Sequence, residues 1–227
     1  MDADGTVDEL LARQRAYYDL RAPDYDDSSK PPDRRSRGGL DRATTAEVVD
    51  ELAPFGDVLE LACGGGALTR ELVRHARTLT CVDGSPQMLE RNREVVADAR
   101  VERICADLFT WRPPRAFDDV VFGFWLSHVP PARFDGFWGL VGSGLRPGGR
   151  VVFVDEDRRG VVHEADRSEG AVPTARRRLS DGRTFDIVKV FWEERELEQR
   201  LEALGWDARV RPLGDSCYLG VATPVGS

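Results

Sequence analysis

The sequence predicts an α/β fold built on a mostly parallel sheet with helices on both faces. Apolar, strand-like runs alternate with helical patterns over most of the chain. A glycine turn, Gly64-Gly65-Gly66, follows the first of these runs and precedes a helical pattern. The last two strand-like runs are joined by a short turn, which favours an antiparallel hairpin at the sheet edge.

The composition limits the class of protein. The 227 residues suit one large domain, and 41% of hydrophobic residues is enough for a core. The net charge of −8 argues against a nucleic-acid-binding protein. The four cysteines form no CxxC pair, and neither a signal peptide nor a bilayer-spanning run is visible, so we expect a reduced cytoplasmic protein with no membrane partner. No cysteine and histidine set has metal-ligand spacing, so we expect no metal.

The chain is expected to form a single domain with four parts. They are N-terminal helices and lid (1–53), a core (54–155), an inserted cap (156–192) and a C-terminal helix with hairpin (193–227). In the first part, apolar residues at helical spacing predict a helix over 7–20 and another over 40–52. Residues 21–39 are rich in Pro, Asp, Ser and Arg and predict a loop or lid.

The core and the C-terminal part supply the elements of the sheet. Strand-like runs cover residues 57–62, 79–83, 101–105, 118–124 and 150–155, followed by 207–212 and 217–222. Helical patterns cover residues 67–76, 86–96, 131–145 and 193–204. Strands separated by helices imply right-handed crossovers and parallel pairing. The cap contains the turn Ser180-Asp181-Gly182 between two strand-like runs, which predicts a β-hairpin.

The glycine turn indicates a ligand site. A strand that leads into a glycine turn and a helix directs backbone N–H groups at a bound ligand. The spacing lacks the third glycine of the dinucleotide pattern, whose place is taken by Thr69, and no Lys-Ser/Thr pair follows as in phosphate loops. Glu60, near the strand end, would repel a pyrophosphate but suits a ligand that carries an ammonium or a sulfonium.

Two further carboxylates narrow the ligand to a nucleoside. Asp83 ends the second strand, where it can hydrogen-bond both ribose hydroxyls; its alternative role is to cap the helix that opens at Pro86, for which Ser85 is equally suited. Asp107 follows the third strand and can accept the exocyclic amine of adenine. Leu108 beside it can pack against the ring.

The runs ELACGGG, CVDGSPQML, CADLF and LRPGGRVVFVDE resemble the successive motifs of class I S-adenosylmethionine-dependent methyltransferases. The resemblance implies a Rossmann-like, doubly wound, seven-stranded sheet whose last strand is antiparallel. It also implies S-adenosyl-L-methionine as the cofactor and S-adenosyl-L-homocysteine as the product. The cofactor-binding residues expected on this basis are Tyr18, Arg21, Tyr25, Glu60, Ala62, Gly64, Gly66, Asp83, Gly84, Met88, Asp107, Leu108 and Phe124. For the three lid residues, ordinary packing of an amphipathic helix is the alternative.

The acceptor side resembles small-molecule O-methyltransferases of bacterial secondary metabolism, in particular phosphonate O-methyltransferases. This resemblance, carried by FGFWLSHVP and the cap, implies that Arg178 and Lys189 hold an anionic acceptor. From the residues alone, a solvated arginine face and a snorkelling lysine remain possible. His128 follows the fourth strand and is the candidate general base, with a structural histidine as the alternative, while Trp125 is a candidate pocket wall.

The predicted function is methyl transfer to a small-molecule acceptor, at oxygen. Methylation of nitrogen or carbon, and a cofactor-binding protein that has lost methyl transfer, remain alternatives. No nucleic-acid partner is expected, because no Asn/Asp-Pro-Pro-Tyr motif follows the fourth strand. A monomer or homodimer is expected.

Overall fold

The computed structural model describes residues 3–25, 42–52, 56–159 and 166–226. Of the predicted lid segment 21–39, residues 26–39 lie outside this set. No helix in the described part of the chain is long and apolar enough to span a bilayer.

A seven-stranded sheet forms the centre of the molecule. Its strands are β1 (Asp57–Leu61), β2 (Thr78–Asp83), β3 (Val101–Cys105), β4 (Phe117–Gly123), β5 (Leu145–Glu156), β9 (Trp206–Leu213) and β10 (Cys217–Pro224), while the three strands between β5 and β9 belong to the cap. The strand order is β3-β2-β1-β4-β5-β10-β9. The first five are parallel, and β10 runs antiparallel to both of its neighbours. The predicted doubly wound sheet with an antiparallel last strand is therefore confirmed.

Six helices are described. They are α1 (Ala3–Arg21), α2 (Arg42–Leu52), α3 (Thr69–Leu72), α4 (Pro86–Val95), α5 (Phe134–Ser143) and α6 (Glu194–Glu202). The predicted helix over 67–76 is only one α-helical turn, because the chain after Leu72 tightens into turns in which His75 N–H donates to Leu72 C=O at 3.0 Å. The predicted helix over 131–145 begins as a 3₁₀ turn and ends at Ser143, since Leu145 already pairs with Phe117 at the start of β5.

Helices cover both faces of the sheet, and successive side chains of a strand pack on opposite faces. On one face, Val58 of β1 and Val121 of β4 pack beneath α2, α3 and α4. On the other, Leu59 and Phe122 pack beneath α5, α6 and the first part of α1. Because side chains on both faces are buried, these strands read as continuous apolar runs.

The cap is a separate three-stranded antiparallel sheet of β6 (Arg167–Glu169), β7 (Pro173–Arg178) and β8 (Thr184–Val188). The predicted hairpin is β7 with β8, and Gly182 in its turn has φ of +90°. The sequence did not predict β6, which is only three residues long. Gln14 joins α1 to the cap: its Oε1 accepts the Val188 N–H at 2.9 Å, and its Nε2 donates to the His128 carbonyl at 3.4 Å.

Candidate active site

A cavity lies beyond the carboxyl ends of β1, β2, β3 and β4, beneath α1. Strand order reverses at β1 and β4, and doubly wound folds bind their ligands in the crevice at this point. The cavity, including its open mouth, has a volume of about 740 Å³.

Most of the residues predicted for the site line this cavity. They are Tyr18, Tyr25, Ala62, Asp83, Gly84, Met88, Asp107, Leu108, Phe124, Trp125 and His128. The walls also include Leu11, Gln14 and Arg15 of α1, which sequence reasoning missed. The helical spacing of these three residues places them on one side of α1. It does not show which part of the fold that side of the helix packs against.

The backbone is strained where β1 and β4 reach the cavity. Ala62 and Phe124, which follow these strands, have φ of +52° and +54°. This left-handed conformation is uncommon for residues other than glycine, and such strain concentrates at functional sites. Two strained strand ends facing one cavity mark it as the functional site.

The glycine turn is held from two sides. Gly64, with φ of +50°, donates its N–H to Asp83 Oδ2 at 2.9 Å. Gly66, with φ of +90°, favours glycine and leaves little room for a side chain, since a Cβ would stand 3.3 Å from the Asn92 backbone on α4. Neither glycine lines the cavity directly. They shape the turn that follows Ala62, and Ala62 does line the cavity.

Asp83 is positioned by backbone donors and is not the cap of α4. Its Oδ1 accepts the Ser85 N–H at 2.8 Å, and Ser85 Oγ is the group that caps α4, by accepting the Met88 N–H. Desolvation raises the pKa of Asp83 to about 6, against the lowering effect of its backbone hydrogen bonds. Of the two roles considered for Asp83, the ligand-facing one fits this arrangement.

Glu60 lies beneath the glycine turn instead of in the cavity wall. Its side chain is buried, and Oε2 accepts hydrogen bonds from Thr69 Oγ1 at 2.7 Å and from Cys81 Sγ at 3.3 Å. Desolvation raises the pKa of Glu60 to about 7. Glu60 thus supports the turn through Thr69 and does not reach a ligand directly.

Asp107 has both of its oxygens engaged at the opposite end of the cavity. Oδ1 accepts the Phe109 N–H at 2.9 Å, and Oδ2 forms an ion pair with Arg15. Leu108, which follows it, is buried, as is Met88 of α4. This end of the cavity has the apolar walls and the carboxylate that an adenine requires.

His128 and Tyr18 form a hydrogen-bonded pair deep in the cavity. The Val188 carbonyl lies 2.8 Å from His128 Nδ1 and can only accept, so Nδ1 carries the hydrogen and Nε2 accepts the Tyr18 hydroxyl at 3.0 Å. Burial and the nearby Lys189 lower the pKa of His128 well below its ordinary value. Burial raises the pKa of Tyr18 well above its ordinary value. Both groups are therefore neutral near pH 7.

The predicted cationic residues differ in position. Arg178 is exposed and lies over the hairpin turn, with Nη2 3.5 Å from the place where a Cβ on Gly182 would stand. Arg177 instead shares the inward face with the buried Ala175, and its charge contributes to lowering the pKa of His128. Arg177 is therefore the arginine on the inward face of β7, and the role of Arg178 in holding the acceptor stays a prediction.

Lys189 is buried behind His128 and does not line the cavity. Its Nζ pairs with Glu156 Oε2 at 2.5 Å and donates to Ser127 Oγ at 3.0 Å. Arg21 also stays outside the cavity wall: it donates to the Tyr17 hydroxyl at 3.0 Å and stacks over the Tyr25 ring, 4.9 Å from its centroid. The positive charges of Lys189 and Arg21 both contribute to lowering the pKa of His128.

Among the described residues, no group of three or more His, Cys, Asp and Glu side chains could hold a metal ion. The absence of a metal from the protein stays a prediction.

Comparison with known proteins identifies the class. The family model described as "Methyltransferase domain" matches residues 58–149. A solved complex of DhpI with SAH shares 37% sequence identity and a TM-score of 0.80, and the match covers 96% of this chain and 98% of that one. The chain therefore belongs to the class I S-adenosylmethionine-dependent methyltransferases. The predicted cofactor is confirmed at the level of this class.

Particular relatives differ in how much of the chain they match. A complex of DhpI with SAM and HEP is 39% identical, with a TM-score of 0.78 and coverage of 95% of this chain and 98% of that one. An uncharacterised methyltransferase of Mycobacterium bovis is 32% identical over 110 residues, which are 47% of this chain and 55% of the relative. The chain thus spans about half the length of such curated relatives.

Proposed function

We propose that the protein transfers a methyl group from S-adenosylmethionine to an oxygen of a small anionic acceptor. The observation that carries the proposal is the neutral Tyr18–His128 pair, which lies at the inner end of the cofactor cavity in a field of cations. The similarity to DhpI, for which a complex with SAM and HEP is solved, supports it.

The residues at the outer end fit the cofactor. Asp83 would hold the ribose hydroxyls, Asp107 the exocyclic amine, and Leu108 with Met88 the faces of the adenine. The turn after Ala62 would hold the methionine part. When bound, S-adenosylmethionine supplies a methyl group on a positively charged sulfur, and transfer to the acceptor leaves S-adenosylhomocysteine.

The inner end favours an anion over an amine. Arg177, Lys189 and Arg21 all act on His128 by their charge, in the direction that lowers its pKa. Because Lys189 is paired with Glu156, it is the charges of Arg177 and Arg21 that attract an oxyanion and oppose an ammonium group. Trp125 adds a donor at the cavity wall: its buried Nε1–H has no hydrogen-bond partner among the described residues. Such a group is costly unless a ligand satisfies it.

The hydrogen bonds of His128 define what this residue can do. As a neutral imidazole with Nδ1–H fixed by Val188, it offers the Nε2 lone pair, and the Tyr18 hydroxyl already occupies this position. A base with a lowered pKa removes the proton of an alcohol poorly. An acceptor that arrives as an oxyanion has no such proton, so it needs no base. We therefore assign His128 to orienting Tyr18 and the acceptor, with catalysis arising mainly from positioning in a site that excludes water.

The cellular setting belongs to the same proposal. Resemblance to O-methyltransferases of secondary metabolism supports a small-molecule substrate from natural-product biosynthesis. It also supports a reaction carried out in the cytoplasm.

The test uses three acceptors of one carbon skeleton that end in a phosphonate, a carboxylate or an amine. Initial rates should favour the two acids. Arg177→Ala should raise KM for an acid about tenfold or more, because a charge-assisted hydrogen bond is lost, whereas Arg178→Ala is the matched control and should change KM less than twofold. His128→Asn should leave the affinity for S-adenosylhomocysteine nearly intact. Preference for the amine, or equal effects of the two arginine variants, would refute the proposal.

A further inference from the structure

One face of α1 supplies the roof of the cavity. Leu11, Arg15 and Tyr18 follow each other at helical spacing and all three line it. Asp19, one turn after Arg15, accepts a hydrogen bond from Ser85 Oγ at 2.5 Å. The helix therefore places one cation and one anion over the carboxyl ends of β2 and β3.

Arg15 lies along the groove that the nucleoside is expected to occupy. A Cβ on Gly84 would stand 3.4 Å from its Cδ and 3.7 Å from its Cγ, so its aliphatic part crosses the backbone after β2. Its guanidinium reaches Asp107 Oδ2 after β3. The side chain thus spans the two places assigned to ribose and adenine.

We propose that Arg15 competes with the adenine of the cofactor for Asp107. The inference rests on the proposed cofactor site. Asp107 Oδ1 is already held by the Phe109 N–H, so Oδ2 is the oxygen that the exocyclic amine takes, and the guanidinium leaves for solvent. Its path is open, because the Arg15 side chain is already 41% exposed.

The exposure of the pair sets the size of the effect. The two side chains are 41% and 34% exposed, and ion pairs this accessible to water are weak. Breaking the pair therefore opposes cofactor binding by a factor of about two to five. The protein binds its cofactor less tightly than its other contacts allow, and it exchanges cofactor and product faster.

The exchange also bears on base selectivity. A hypoxanthine base carries a carbonyl oxygen where adenine carries its amine, so its exocyclic group cannot donate to Asp107. It can instead accept from the Arg15 guanidinium. Arg15 therefore narrows the preference for adenine over hypoxanthine, and removing it widens that preference.

Calorimetric titration of the full chain with S-adenosylhomocysteine and with S-inosylhomocysteine tests the inference without measuring activity. Arg15→Gln should bind S-adenosylhomocysteine about two- to fivefold more tightly and raise the ratio between the two ligands. Arg15→Lys, which keeps the charge, should fall between it and the natural protein. Arg13→Gln is the matched control, since Arg13 is an exposed arginine of the same helix. Salt should tighten binding in the natural protein and affect Arg15→Gln less.

Opposite results overturn the inference. Weaker binding of S-adenosylhomocysteine by Arg15→Gln would show that Arg15 holds the cofactor. Unchanged binding would show that the ion pair between Arg15 and Asp107 is not broken when the ligand binds. Absence of heat with S-adenosylhomocysteine in every variant would refute the proposed function together with this inference. If the natural protein binds S-adenosylhomocysteine but Arg15→Gln does not bind it more tightly, the inference about Arg15 fails while the proposed function stands.

Discussion

Glu60→Gln provides a sharp test of the electrostatics beneath the glycine turn. Glu60 is 2% exposed, and its carboxyl has only the Thr69 hydroxyl and the Cys81 thiol as described hydrogen-bond donors. Desolvation raises the pKa of Glu60 from its ordinary 4.5 to about 7. The protonated form is therefore favoured in the folded protein, and its contribution to stability is complete below about pH 4.5 and lost as the pH rises through 7.

The size of the effect follows from this pKa difference. Each unit corresponds to about 1.4 kcal/mol, so ionised Glu60 lowers the free energy of unfolding by roughly 3 kcal/mol at high pH. About 2.5 kcal/mol of this falls between pH 5 and pH 8.5. Glutamine keeps an acceptor for Thr69 and cannot ionise. The gain in stability of Glu60→Gln over the natural protein should therefore be larger at pH 8.5 by about this amount.

Urea unfolding of the cofactor-free protein, followed by tryptophan fluorescence, measures the difference. Glu94→Gln on the exposed face of α4 is the control and should show no such pH dependence. Asp83, whose pKa is raised to about 6, contributes in the same direction in both proteins, and its charge is also one of the causes of the raised pKa of Glu60. A stability difference between Glu60→Gln and the natural protein that is equal at both pH values, within about 0.5 kcal/mol, would refute a desolvated Glu60.

Two further predictions concern the site and its support. Asp83→Ala should weaken binding of S-adenosylhomocysteine about 100-fold or more, since it removes a charged acceptor of two ribose hydrogen bonds and the anchor of Gly64; calorimetry that shows less than a tenfold loss would contradict the ribose role. Glu156→Ala should cost about 3 kcal/mol of unfolding free energy because it leaves the Lys189 ammonium buried without its carboxylate. Lys189→Met should cost less, and the double variant should recover stability relative to Glu156→Ala; equal losses in both single variants would show that the buried charge does not matter.

The cofactor end of the site was predictable because it depends on local order along the chain. Asp83 ends β2 and Asp107 follows β3, and the carboxyl ends of parallel neighbours meet at one edge of the sheet. No knowledge of helix docking is needed for that step. The central strands of the sheet were predictable from the sequence as well, since they are buried on both faces and read as apolar runs.

The roof of the cavity was not predictable in this way. Gln14 and Arg15 belong to no motif, and their roles depend on how α1 rotates against β8 and the strand ends. Tyr18 was expected at the cofactor, yet its hydroxyl turned toward His128, because the Val188 carbonyl fixes the imidazole tautomer from the cap. Each of these contacts joins residues more than 50 positions apart in the chain.

The choice between Arg177 and Arg178 shows why the acceptor is harder to predict than the donor. Successive side chains of a strand face opposite sides, so one residue of register decides which arginine lies on the inward face of the cap. The pairing of Arg177 with Phe185 sets that register, and it turns Arg177 inward beside the Tyr18–His128 pair while Arg178 faces water. A run of three arginines carries no signal for this choice. The acceptor preference proposed here therefore depends on the register of a small hairpin, whereas the cofactor site depends on the ends of central strands.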